Sequence, residues 1–161
     1  MIILGIDPGT ARMGYSIIKV KNKAGEYKVI EADVLTTPAG QEMHKRLKSL
    51  HVGLHRILAK HKPDIMVIER LFFNSNAKTA MTVGQARGVA LLAGADWDLS
   101  IFEYTALEAK FVITGYGRSD KKAMQEAVRK LLGNIKIVKS DDANDAIAMA
   151  LCYIKKNYVK A

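Results

Sequence analysis

MIILGIDPGT, residues 1–10, is the stretch that decides the fold. Met1 to Ile6 is apolar except for Gly5 and reads as a short buried strand. Asp7 ends it, and Pro8-Gly9-Thr10 turns the chain at once. A carboxylate where a buried strand runs out into a turn is held rigidly and faces outward at the sheet end. Residues 65–69 repeat the pattern: Ile65-Met66-Val67-Ile68 is apolar, and Glu69 closes it. If the two strands are parallel neighbours, Asp7 and Glu69 emerge side by side at their C-terminal ends, where open α/β sheets put their sites.

Outward from these two strands the pattern predicts the rest. Residues 14–20 and 27–36 read as strands joined in a hairpin by the turn 21–26. Residues 42–61 read as an amphipathic helix with Met43, Leu47, Leu50, Leu54, Ile57 and Leu58 on one face. A helix rich in small residues follows at 77–94, with Asn76 as its N-cap. A strand at 100–104, a helix from Ala106, a Gly-Tyr-Gly-Arg-Ser loop at 115–119 and helices at 120–132 and 141–157 complete the chain. Three antiparallel strands feeding a parallel αβαβ half make a mixed five-stranded sheet with helices on both faces, an α/β fold. No linker or internal repeat divides residues 1–161, and that length suits one domain burying roughly 70% of its unfolded surface.

Two further acids, Asp142 and Asp145, open the last apolar helix at i, i+3 spacing and so share a face. Asp141 and Asp145 share one too. Acids in a first helical turn are favoured by the helix dipole alone, but Asp145 precedes Ala146-Ile147-Ala148 and lies inside the buried part, where a bare charge is costly. Singly, Asp7 reads as a turn cap and Glu69 as a surface acid paired with Arg70. Together, four carboxylates delivered by two strand ends and one helix point to divalent metal ions.

The charge balance agrees. Lys and Arg number 25 against 16 Asp and Glu, a net +9, which favours a polyanionic partner. A basic chain that gathers acids at element ends suits a phosphodiester substrate. Cys152 is the one cysteine and falls in an apolar run, so burial and a reducing compartment are expected. Asp7 interrupts the first apolar run with no basic segment before it, and no run approaches the ~20 residues of a membrane span, so a cytoplasmic location is expected. His51 and His55 stand at i, i+4, a spacing that can bind zinc. Neither is near a carboxylate motif, and a lone pair is a weak signal. The Gly-rich loop lacks the Lys-Ser/Thr of a P-loop and reads as a mobile loop carrying Arg118. Phe72, just past Glu69, can stack on a nucleobase or belong to the core.

At these residues the chain resembles the RuvC family of Holliday-junction resolvases. GIDPGT…MGY at 5–15, VIERLFF at 67–73, TVGQARGVALLA at 82–93, FEY at 102–104 and DDANDAIAMA at 141–150 are similar to that family's successive signatures. The resemblance implies an RNase H-like fold, a homodimer, and paired nicks across a four-way DNA junction that leave 5′-phosphates, using two Mg²⁺ or Mn²⁺ ions per site. It implies that Asp7, Glu69, Asp142 and Asp145 are the catalytic and metal-binding acids, and it selects Asp142 over Asp141. Phe72 matches an aromatic that contacts junction DNA. Lys110 and Lys121 match basic residues near the scissile strand, and Arg12 and Arg118 are expected to contact DNA with them. The usual partner of the family is the RuvA–RuvB branch-migration complex. An RNase H-like nuclease acting on ribosomal RNA precursors and a junction-binding module without turnover are the alternatives.

Overall fold

The computed structural model describes residues 1–71, 77–132 and 140–158. The chain runs β1 (Ile2–Asp7), β2 (Arg12–Val20), β3 (Tyr27–Thr36), α1 (Met43–His61), β4 (Ile65–Glu69), α2 (Ala77–Asp96), β5 (Ser100–Tyr104), α3 (Ala106–Thr114), α4 (Lys121–Leu131) and α5 (Asp141–Asn157). One five-stranded sheet has the order β3-β2-β1-β4-β5. The β1-β2-β3 meander is antiparallel, whereas β1-β4 and β4-β5 are parallel. This is the mixed sheet expected from the sequence. β2 begins two residues earlier than expected because Arg12 and Met13 already pair with Thr36 and Leu35.

Strand periodicity sorts the core into two layers. Leu4, Ile6, Met66 and Ile68 point to one face, against Leu50, Leu54 and Leu58 of α1 and Ala86, Ala90 and Ala93 of α2. Ile3, Ile65 and Val67 point to the other, against Ile147, Leu151 and Ile154 of α5, with α3 and α4 packed outside it. Ile17 and Ile18 fall in opposite layers by the same alternation, and the β2–β3 register shifts between them so that Ile30 of β3 has no partner in the ladder. Cys152 is fully buried, and burial pushes its thiol up to about 11.

Two glycines decide how close α5 comes to the sheet. A Cβ at Gly5 would lie 2.2 Å from the Ala146 carbonyl oxygen, and one at Gly14 would lie 1.9 Å from that of Asp142. The Ser16 hydroxyl donates to the same Ala146 carbonyl at 3.0 Å. The first turns of α5 therefore rest directly on the backbone of β1 and β2.

Smaller differences from expectation have local causes. α4 starts at Lys121 because Asp120 is its N-cap, accepting from the Ala123 N–H at 2.7 Å. Gly115 is the left-handed C-cap of α3, with φ 82°. In the loop after it the Ser119 hydroxyl donates to the Tyr116 carbonyl at 2.7 Å and meets the Thr114 hydroxyl at 2.7 Å. The expected N-cap Asn76 and the aromatic Phe72 lie outside the described residues.

Candidate metal-dependent active site

β1 and β4 pair in parallel through Ile6 and Ile68, so Asp7 and Glu69 leave the sheet side by side. Arg70 does not pair with Glu69. It donates to Glu103 at 3.2 Å, and Arg87 binds the same carboxylate while donating to the Glu69 main-chain oxygen at 3.2 Å. The end of β4 is thus fixed by cations while its terminal carboxylate stays available. Glu103 opposes Ile68 on β5, so only the strand register reveals it as a bracket for Glu69.

Asp7 lies beside Glu69, and its carboxyl is pushed up to about 8. Burial is the largest cause, followed by the charges of Glu69, Asp145 and Asp142. Burial also raises Glu69, with Asp145 adding to the rise while the neighbouring Asp7 carboxyl and the charge of Lys110 oppose it. Asp145 is raised by burial against the opposing charge of Lys121. Such a set, partly buried and mutually repulsive, has the donor chemistry of a hard divalent cation site. Among the described residues, no three of these acid donor atoms lie within 4.8 Å of one another.

Asp142 faces the cluster from the first turn of α5, where Arg12 Nε donates to its Oδ2 at 2.6 Å and Arg12 also reaches Ser140 at 2.9 Å. Asp141 points elsewhere, to Lys121 at 2.9 Å and Gln125 at 2.8 Å. Of the two neighbours, Asp142 is the one whose backbone lies against Gly14. The Arg12 contact has no periodic sequence signal, since 130 residues separate it from Asp142.

Beside the acids lies a cleft of about 240 Å³ lined by Glu69, Ala106, Ala109, Lys110, Lys121, Met124, Asp145, Ala148 and Met149. It continues along α3 past Arg70, Leu107 and Gly117. Lys110 and Lys121 are the cations expected near the substrate, and both line it. Arg118 is exposed on the tied loop. A cleft with acids on one wall and lysines on the other can hold a cation and a phosphate together.

The family described as Crossover junction endodeoxyribonuclease RuvC matches residues 3–153. The chain is 47% identical over 153 residues to the crossover junction endodeoxyribonuclease RuvC of Alkaliphilus oremlandii, covering 95% of this chain and 92% of that protein. It is 48% identical to the same-named protein of Chloroflexus aurantiacus, with 95% and 92% covered. Thermus thermophilus RuvC in complex with Holliday junction substrate superposes with a TM-score of 0.89 at 26% identity, over 97% of this chain and 94% of that one. The yeast mitochondrial Holliday junction resolvase Ydc2, at 13% identity and a TM-score of 0.67, shares the fold; the match covers 95% of this chain and 78% of that one.

Proposed function

The chain belongs to the RuvC family of crossover junction endodeoxyribonucleases, and on that premise we propose that it resolves four-way DNA junctions by paired symmetric nicks. The observation that carries the reading is the convergence of Asp7, Glu69, Asp142 and Asp145 at one sheet end, beside Lys110 and Lys121. Residues 1–161 act as a single RNase H-like nuclease domain.

The four acids hold two divalent ions, Mg²⁺ or Mn²⁺. Their fit rests on the raised carboxyls of Asp7, Glu69 and Asp145, in the last two of which burial outweighs the opposing charges of Lys110 and Lys121. When bound, such ions neutralise the acids, lower the pKa of a water and stabilise the departing 3′ oxygen. Arg12 sets the orientation of Asp142. Lys110 and Lys121 meet phosphate oxygens in the cleft and draw the strand toward the acids. A water oxygen bonds to phosphorus as the P–O3′ bond breaks, leaving a 5′-phosphate and a 3′-hydroxyl. Arg12, Arg118 and Phe72 supply further DNA contacts, Phe72 by stacking on a base near the junction centre.

A second copy of the chain completes the enzyme. The α2 face bearing Met81, Gly84, Gly88 and Leu92 is turned away from the sheet; Met81 is 69% and Leu92 55% exposed, and a Cβ at either glycine would meet nothing within 4 Å. Small residues on an open helix face admit another backbone closely. A two-fold dimer through this face gives two acidic sites for the two-fold symmetry of a junction. The partner on DNA is the RuvA–RuvB complex, and the setting is recombination and repair in the cytoplasm. No helix among the described residues is long and apolar enough to cross a membrane.

Incubating the protein with a synthetic four-way junction, with Mg²⁺ and with EDTA, and mapping the nicks tests the function. Symmetric nicks in opposite strands, dependent on Mg²⁺, are the expected result. Binding without cleavage would favour a junction-binding module, and preference for structured RNA would favour a ribosomal RNA nuclease.

A further inference from the structure

The histidine pair of α1 gains a third partner that the sequence conceals. His51 Nε2, His55 Nε2 and Asp96 Oδ2 form a triangle, with His51–Asp96 3.3 Å, His55–Asp96 3.2 Å and His51–His55 3.1 Å. Asp96 is the last residue of α2 and packs across to α1. The cluster lies at the Ser100 end of β5, whereas Glu69 pairs with Tyr104 at the other end. It is separate from the acidic site.

The triangle has the dimensions of a metal face. Zinc bound at about 2.0–2.1 Å to tetrahedral nitrogen and oxygen ligands holds those ligands about 3.3 Å apart. Hydrogen bonding alone satisfies this triangle poorly. The Trp97 indole N–H donates to His55 Nδ1 at 3.0 Å, so a neutral His55 carries its proton on Nε2, inside the triangle. If His51 Nε2 also carries a proton, two donors face each other across the His51–His55 edge. If it does not, two lone pairs face each other across the His51–Asp96 edge. No neutral assignment makes all three edges attractive, whereas a cation capping the triangle is attracted by three lone pairs. Two imidazoles and one carboxylate suit a borderline transition-metal ion better than Mg²⁺.

We propose that His51, His55 and Asp96 bind a divalent transition-metal ion of the Zn²⁺ class, clamping α1 to the C-terminal end of α2. Ligation requires the His55 proton to leave Nε2, and the neutral ring then carries it on Nδ1 through exchange with solvent. Nδ1–H would face the indole N–H, donor against donor, so metal binding releases the Trp97–His55 hydrogen bond. A fourth coordination position stays open to water.

Trp97 is the single tryptophan of the chain, so its emission reads this site alone. The test titrates Zn²⁺ into the whole protein in saturating Mg²⁺, which fills the acidic site, and follows Trp97 emission and melting temperature. The expected result is a saturable emission change at one Zn²⁺ per chain with a rise in melting temperature. Co²⁺ bound in its place should show the visible absorption of a tetrahedral ion. His51→Gln and Asp96→Asn, with folding checked by circular dichroism, are expected to weaken Zn²⁺ binding at least about tenfold, since even outer-shell partners contribute that much. No saturable emission change in the wild type, or equal binding by folded His51→Gln and Asp96→Asn variants, would overturn the proposal. Should either variant fail to fold, the Zn²⁺-dependent emission and Co²⁺ spectrum of the wild type still decide it.

Discussion

Asp7 and Glu69 each stand one residue beyond the paired Ile6 and Ile68, so their carboxyl groups emerge side by side and the charge of Glu69 helps to raise the Asp7 carboxyl. Adjacent parallel strands leave two acids no room to diverge, so the pair retains a proton in the absence of a counter-cation. A divalent ion held by the two acids would supply the positive charge in place of that proton.

This relationship makes the metal-free protein sensitive to pH. The Asp7 carboxyl is raised from 3.8 to about 8 on folding. Between those values the folded chain keeps a proton that the unfolded chain releases, so stability falls as pH rises. The contribution is fully present at and below about pH 4 and is lost as pH rises through about 8. In EDTA, the melting temperature is expected to drop between pH 5 and pH 8.5, more than in an Asp7→Asn variant. Mg²⁺ is expected to remove most of the drop by supplying the missing positive charge. A melting temperature that does not depend on pH in EDTA would contradict the retained proton.

Gly14 holds the helix that carries Asp142 and Asp145. With its Cβ 1.9 Å from a backbone oxygen, Gly14→Ala must displace either α5 or β2. A loss of about 1–3 kcal/mol or more is expected, the range of overpacked sites, together with a severe loss of cleavage. Gly40→Ala, whose Cβ would meet nothing within 4 Å, serves as the control. Denaturant melts of the two variants give the comparison.

Gly84→Glu separates assembly from folding. A Cβ added there meets nothing within 4 Å in the single chain, so the fold is expected to persist while the dimer dissociates. Sedimentation at micromolar concentration should show the wild type at twice the chain mass and the variant at one. A folded Gly84→Glu dimer would exclude this face as the interface.

Phe72 is proposed to stack on a base near the junction centre. Phe72→Ala is expected to lower junction cleavage by an amount equivalent to about 1–3 kcal/mol, the worth of one stacked base. Its melting temperature should change little. A large thermal loss would assign the ring to the core, where truncation costs about 3–5 kcal/mol.

The parts of the site nearest to legible sequence patterns were the strand ends. Apolar runs closed by Asp7 and Glu69 signal both the strands and their terminal acids, and a parallel pairing suffices to bring the acids together. The choice between Asp141 and Asp142 was less legible, because helical spacing lets either share a face with Asp145; the family resemblance selects Asp142, and in the fold Gly14 admits its backbone to the sheet. Residues 115–119 read as a mobile loop from their glycine content, and the Thr114–Ser119 contact is not visible there. Asp96 gave no sign of joining His55, from which 41 residues separate it, since only the packing of α1 on α2 brings them together.

Cleavage and binding measured side by side on one four-way junction, with Asp7→Asn, Glu69→Gln, Asp142→Asn and Asp145→Asn, test the central claim most directly. Metal ligands serve chemistry more than affinity. Asp7→Asn, Glu69→Gln and Asp145→Asn are therefore each expected to abolish nicking in Mg²⁺ while junction binding persists. Asp142→Asn is expected to be severe, with residual activity. Near-wild-type nicking by Asp7→Asn would contradict the assignment of the site.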